Sequence, residues 1–232
     1  MVGMSGGRTA LITGGTGGLG AATVAAFVAD GWRVVAPVRP GRADGLPKGA
    51  VPVDGDMSNE SDVTAAVAVA AGDSEAPLRA VVNLIGGFAS GPLVGETPWS
   101  DFEAQLLTNL RPTYLVTAAA LPHLVAAGGG SVVSVSSRTA LSPFPGSAGY
   151  STSKAAVIAF ANSVAVDYRK QNVRSNTVVP SVIDTPANRV AMPDADFSRW
   201  VRPERIAPTI LFLASDASAP TSGAQIPVYG RA

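Results

Sequence analysis

Short apolar runs rich in Val, Ile and Leu recur along the chain: TALIT (9–13), WRVVA (32–36), AVVNLI (80–85), SVVSVS (131–136), VRSNTVV (173–179) and QIPV (225–228). They read as buried strands. Between them lie Ala-rich stretches of helical length: 19–29, 62–71, 99–127 with Pro112 and Pro122 inside it, and 150–170. Strand and helix alternate, which implies parallel βαβ units. The pattern predicts an α/β fold, a Rossmann-type doubly wound parallel sheet with helices on both faces, built as one domain over 1–232. No repeat, low-complexity tract or linker-like shift interrupts it. Two connections, 37–52 and 184–203, are long and punctuated by Gly or Pro, and loops of that length in a compact domain are often functional.

Composition narrows the function classes. The 232-residue chain has a formal net charge of zero and a sequence pI near 6.6, so it lacks the basic footprint that nucleic acid or an anionic membrane requires. Charged residues make up 15% against 47% hydrophobic, a balance that suits a thick core and an apolar subunit interface. There is no cysteine, so thiolate catalysis, disulfides and Cys-ligated metals are excluded, and a lone histidine, His123, supplies no multi-histidine site. No metal is expected. The N-terminal MVGMSGGRTALITGG has no charged segment followed by an apolar one, and no later apolar run reaches membrane-spanning length. The expectation is a soluble, cytoplasmic protein acting on a small molecule.

Two features carry chemistry. After the first strand comes TGGTGGLG (13–20), a strand-to-helix turn whose glycines let the backbone approach a pyrophosphate at a helix N-terminus. Further on, GYSTSK (149–154) places Tyr150 four residues before Lys154 in a chain with four tyrosines and three lysines. A tyrosine with its ordinary pKa of about 10 is a poor proton shuttle at neutral pH. A lysine one helical turn away supplies a charge that favours the ionised form. Ser137, thirteen residues before Tyr150, ends a predicted strand.

Gly14, Gly18 and Gly20 in TGxxxGxG, Tyr150-x-x-x-Lys154 and the spacing to Ser137 together resemble the short-chain dehydrogenase/reductase family, and the match extends over nearly the whole chain. The resemblance implies a catalytic set of Asn109, Ser137, Tyr150 and Lys154. In it Ser137 and Tyr150 hold a carbonyl oxygen, Tyr150 transfers the proton, and Lys154 lowers the tyrosine pKa and holds the nicotinamide ribose. Asn109 kinks the long central helix. The same resemblance assigns Gly14, Thr16, Gly18, Leu19 and Gly20 to the cofactor phosphates, Asp56 and Met57 to the adenine, Asn83 and Gly86 to the pocket floor, and Pro180, Ile183 and Thr185 to the nicotinamide carboxamide. Leu84 and Ile85 depart from the family's Asn-Asn-Ala-Gly run, and Ser181 stands where the family has a glycine.

At the end of the second strand, where NAD-specific members carry an acid, this chain has Val38, followed by Arg39 and Arg42. Guanidinium groups suit a 2′-phosphate, so NADP(H) is favoured, with NAD(H) the alternative. Residues 184–205 are expected to form a substrate lid, offering Met192, Phe197 and Trp200 to an apolar ligand or packing them on one another. Phe88 and Phe144 are expected to line the opposite wall. The lid stretch also resembles dihydropteridine reductases, but Val38 and Ser137 depart from that type. The reading is therefore an NADPH-linked carbonyl or 3-oxoacyl reductase. An NADH-linked dihydropteridine reductase and a non-catalytic NADP(H)-sensing protein are the alternatives. The resemblance also implies a homotetramer or homodimer built from the Ala-rich helices.

Overall fold

The computed structural model describes residues 7–231; the reading of the extreme N-terminus and the outer limits of the 1–232 domain lie outside them. Seven strands form one parallel sheet in the order β3-β2-β1-β4-β5-β6-β7. They are β1 (Thr9–Thr13), β2 (Arg33–Val38), β3 (Ala50–Asp54), β4 (Leu78–Asn83), β5 (Gly130–Val135), β6 (Val173–Pro180) and β7 (Gln225–Val228). Seven helices connect them: α1 (Gly18–Ala29), α2 (Glu60–Ala71), α3 (Trp99–Asn109), α4 (Arg111–Ala126), α5 (Ala148–Asp167), α6 (Pro186–Ala191) and α7 (Pro203–Ala214).

Side chains alternate between two cores because successive strand residues point to opposite faces. Ala10, Ile12, Val34, Val82 and Val133 face α1 and α7, where Phe27, Ile206 and Ile210 complete one core. Leu11, Val35, Val81 and Val132 face α2 and α4, where Val63, Val67, Leu121 and Leu124 complete the other. With both faces covered, the strands read as continuous apolar runs, and this is why periodicity located them.

Three elements differ from the expectation. β3 lies inside the long connection after β2: it is an edge strand with mostly exposed side chains and Pro52 in its middle, and an edge strand needs neither a hydrophobic face nor every N–H. The single helix expected over 99–127 is two. Pro112 has no N–H for the turn before it, and the chain breaks at Leu110 (φ −96, ψ −45). The helix α7 carries Pro203 in its first turn and Pro208 inside it, and Pro208 disguises it in the sequence. Its first turn also shortens the expected lid, since Pro203 is buried and α7 packs against α1.

Helix C-termini gather at the amino ends of the strands, and arginines meet them there. Arg8 donates to the Asp30 carboxylate at the end of α1 (2.7 Å), and Arg79 to the Ala127 carbonyl after α4 (2.6 Å). Arg174 donates to the Leu213 and Ser215 carbonyls (3.1 and 2.9 Å). Cations at helix C-termini offset the negative end of the macrodipole. A crevice of about 720 Å³ at this end is lined by these arginines, each of which gives at least one N–H to a helix end. The carboxyl ends of the strands, on the other side, remain for chemistry.

Candidate active site

The chain order reverses between β1 and β4, which opens a crevice at their carboxyl ends where α/β sheets bind ligands. Its first wall is the turn after β1. Gly14 has a positive φ of 69°, and a Cβ there would press on the Leu84 and Ile85 backbone at 3.1 Å. A Cβ on Gly20 would reach the Gly14 carbonyl oxygen at 1.9 Å, so only glycine lets α1 start this close to the turn. No side chain caps α1 and no acid occupies its first turn. The helix therefore presents free N–H groups and a positive end to an anion, and these residues fit a dinucleotide pyrophosphate. Thr16 is exposed at the turn, beside Gly45 of the β2–β3 connection. Leu19 is buried in the core, which leaves its main chain to face a ligand.

The catalytic candidates converge at the ends of β4 and β5. Asn109 is fully buried at the break between α3 and α4. Its Nδ2 donates to the Gln105 carbonyl (3.0 Å), and its Oδ1 accepts from the Gly87 N–H (3.0 Å). Lys154 is 6% exposed and its Nζ donates to the Val135 carbonyl at the end of β5 (3.1 Å). Gly86 lies between them: a Cβ there would stand 2.7 Å from Asn109 Oδ1 and 2.8 Å from Lys154 Nζ. Ser137 is buried at the end of β5, where its Oγ accepts from the Thr139 N–H (3.2 Å).

The electrostatics differ from the expected pattern. Burial raises the Tyr150 phenol above its ordinary 10.0, and the nearby Ser137 hydroxyl pulls it part of the way back. Burial lowers the Lys154 ammonium from 10.5 to about 8. Loss of solvent around both groups sets these shifts, since desolvation penalises whichever form is charged, and Lys154 is not among the causes of the Tyr150 shift. A protonated phenol at neutral pH is the form that donates a proton.

Sequence reasoning missed the residues that hold this set in place. Ser136 Oγ donates to the Lys154 carbonyl (2.7 Å) and ties α5 to β5. Ser147 Oγ accepts from the Phe144 N–H (3.0 Å) and donates to the Phe144 carbonyl (2.6 Å), ordering the approach to α5. Hydroxyl-rich SVSS and PGSAGYSTS were the only signal, and nothing in them separates anchoring serines from a catalytic one.

Other expected contacts sort themselves by direction. The Phe88 ring meets Tyr150 edge-on at 5.0 Å and Phe144 at 6.3 Å, so this aromatic wall is assembled. Phe197 and Trp200 pack on each other at 4.7 Å, Arg189 lies over Phe197 at 4.6 Å, and Met192 is exposed. The rings of the 184–205 segment thus pack internally. Asn83 turns into the sheet, its Nδ2 donating to Thr117 Oγ1 (2.9 Å), and Met57 is in the core, so neither side chain faces the crevice. Leu84 and Ile85 pack toward opposite cores rather than forming a pocket floor. Pro180 is paired in β6 with Val228. Ile183 bridges to Val201. Thr185 Oγ1 accepts from the Asn188 N–H (3.2 Å) as the cap of α6, and its methyl would meet a Cβ on Gly18 at 2.6 Å. Ser181 needs no glycine-only backbone, since Asn172 alone among described non-glycine residues has a positive φ; its Oγ donates to the Tyr229 carbonyl (2.7 Å).

At the end of β2, Val38 is buried while Arg39 and Arg42 are exposed. Asp54 of β3 pairs beside Val38, an acid that the unrecognised strand had hidden. Asp56 accepts from the Ser58 N–H and hydroxyl (2.9 and 2.8 Å), bonds that hold its pKa down, with Arg39 adding a smaller attraction.

Known proteins share this architecture. A family model described as short chain dehydrogenase matches residues 8–196. The 2-(R)-hydroxypropyl-CoM dehydrogenase of Xanthobacter autotrophicus is 32% identical, the match covering 96% of this chain and 97% of that protein. The 3-oxoacyl-[acyl-carrier-protein] reductase FabG of Thermotoga maritima is 30% identical, with 97% of each chain covered. The solved structure "ElxO with NADP Bound" superimposes with a TM-score of 0.88 at 25% identity, over 97% of this chain and 98% of that one.

Proposed function

Since the chain belongs to the short-chain dehydrogenase/reductase family and is an oxidoreductase of CH–OH and C=O groups, we propose that it is an NADPH-dependent carbonyl reductase working through Tyr150. The observation that carries this reading is the meeting of Asn109, Lys154 and Gly86 at the ends of β4 and β5. A nicotinamide cofactor, held by the Gly14–Gly20 turn and by Thr185, supplies the hydride when bound. The chain supplies the rest. Ser137 and Tyr150 hold the substrate oxygen, and the phenol gives its proton to that oxygen as the carbonyl becomes an alcohol. Lys154, one helical turn from Tyr150, stabilises the phenolate left behind. Asn109 is a positioning residue that fixes Gly87 and the end of α3.

Preference for NADPH rests on Val38, Arg39 and Arg42, because a guanidinium pairs with a 2′-phosphate and an apolar residue does not repel it. The ElxO structure with NADP supports a phosphorylated cofactor by likeness. The helices α4 and α5 leave Tyr114 and Val166 exposed, which supports a homodimer or homotetramer.

One experiment tests the reading: titration with NADPH and NADH by nicotinamide fluorescence, alongside turnover of a panel of ketones and aldehydes, for wild type and Tyr150→Phe. NADPH is expected to bind at least about tenfold more tightly, about 1.4 kcal/mol, and Tyr150→Phe to keep that affinity while losing turnover. Equal or tighter NADH binding reverses the cofactor assignment, and a Tyr150→Phe protein that turns over normally removes Tyr150 from the chemistry.

A further inference from the structure

Tyr229 follows β7 at the carboxyl end of the sheet, and it is fastened there from two sides. Val228 pairs with Pro180 of β6, and Ser181 Oγ donates to the Tyr229 carbonyl (2.7 Å). Next to it Gly230 has a φ of 65°, and a Cβ there would press on Val201 Cγ2 at 2.7 Å. Val201 is itself tied back to the end of β6, its N–H donating to the Val182 carbonyl (3.1 Å).

The Arg138 guanidinium lies over this fixed ring, 5.2 Å from its centre. An aromatic face attracts a guanidinium without neutralising it. Arg138 directly follows Ser137 in the turn after β5, and its carbonyl accepts from the Leu141 and Ser142 N–H groups (both 2.9 Å). Backbone and guanidinium are thus both held. The ion pairs among the described residues join Arg8 to Asp30, Arg33 to Asp73 and Arg189 to Asp184, and Arg138 belongs to none of them. The residue is exposed. A positioned cation without a carboxylate partner among the described residues therefore stands one residue from the serine proposed to hold the substrate oxygen. Strand order separates it from the proposed phosphate contacts: the Gly14–Gly20 turn after β1 and Arg39 after β2 lie on one side of Ser137, Tyr229 after β7 on the other.

From this juxtaposition we infer that Arg138 is a specificity-determining residue that binds the carboxylate of a keto acid whose carbonyl sits at Ser137 and Tyr150. A guanidinium offers two parallel N–H groups to a carboxylate, and stacking on a ring occupies its face while leaving those edges free. The inference rests on the carbonyl-reductase reading. It adds a substrate class to it: keto acids, or the corresponding hydroxy acids in the oxidative direction.

The test compares kcat/KM for acetoacetate, levulinate and 5-oxohexanoate with their methyl esters, in wild type, Arg138→Met and Arg138→Lys. In wild type, the acid of at least one pair is expected to be favoured tenfold or more at low salt, and added salt to shrink that ratio, since ions screen an exposed pair. Arg138→Met, which keeps a long unbranched side chain, is expected to erase the preference while leaving the esters within about twofold. Arg138→Lys, which keeps the charge and loses the fork, is expected to fall between the two. Equal or better use of the ester in all three pairs overturns the inference, as does a parallel loss on acids and esters in Arg138→Met, which would mark the contact with Tyr229 as purely structural. Failure to turn over any carbonyl overturns the reductase reading itself. The anion site is then read from melting temperature: a rise with levulinate in wild type that is absent in Arg138→Met upholds binding of the carboxylate at Arg138, and no rise in wild type overturns it.

Discussion

Lys154 stands in an environment that works against its own charge. Burial lowers its pKa to about 8 from 10.5, so the folded protein holds a proton there less tightly than the unfolded chain. The cost of the buried ammonium is present in full below pH 8 and is relieved as pH rises from 8 to 10.5, where the unfolded chain binds more protons. A shift of that size corresponds to roughly 3 kcal/mol. Lys154→Met is therefore expected to raise the stability of the ligand-free protein at pH 7 and to abolish turnover. Urea unfolding at pH 7 and at pH 10 checks this, because the stability advantage of the variant should shrink toward the higher pH. A constant or growing advantage would mean that desolvation of the ammonium is not the cause. Such a residue, destabilising where it acts, is a familiar cost of function. The spacing to Tyr150 was legible in the sequence; the sign of either pKa shift was not, because burial comes from β5 and α3, distant along the chain.

The break between α3 and α4 converts a helix defect into a positioned amide. Pro112 leaves the preceding turn without a donor, and Asn109 then turns its side chain to the Gln105 carbonyl and the Gly87 N–H. Pro112→Ala restores an N–H to that turn and is expected to straighten the junction. The expected result is equal or higher thermal stability together with at least a tenfold loss in kcat, since Asn109 would no longer face Gly87. Retained kcat would show that the amide, and not the break, sets the geometry. Pro112 and Asn109 were both visible in the sequence, yet the pattern read as one long helix because Ala-rich periodicity continues across the break. β3 was hidden for the opposite reason. As an exposed edge it carries little of the apolar signal by which strands are found.

The two ends of the sheet are specialised differently. Helix N-termini and the Gly14–Gly20 turn lie at the catalytic end, while at the other end arginines bind helix C-terminal carbonyls along an open crevice. Arg174 is the most heavily engaged, donating to Leu213, Ser215 and Thr221 carbonyls and to Ser218 Oγ. It thereby joins β6, α7 and the segment before β7. Arg174→Ala is expected to cost about 2–4 kcal/mol, several hydrogen bonds to a charged group with their carbonyls left unpaired. kcat should stay within about twofold, because the residue lies at the opposite end of the sheet from Tyr150. Chemical denaturation and steady-state kinetics on the same preparation check both halves, and an intact stability would mean that the capping is redundant. No helix among the described residues is long and apolar enough to cross a membrane.

The alternation of strand and helix, the glycine turn and the Tyr150–Lys154 pair were legible in the sequence alone, because each depends on spacing along the chain: two residues per strand repeat, four per helical turn, a fixed number through the first turn. The convergence of Gly86, Asn109 and Lys154 and the turning of Asn83 and Met57 away from the crevice came only with the folded chain. Those features join residues tens of positions apart, and which polar atoms find partners is settled by how β4, β5, α3 and α5 pack together, a three-dimensional fit that no local pattern encodes.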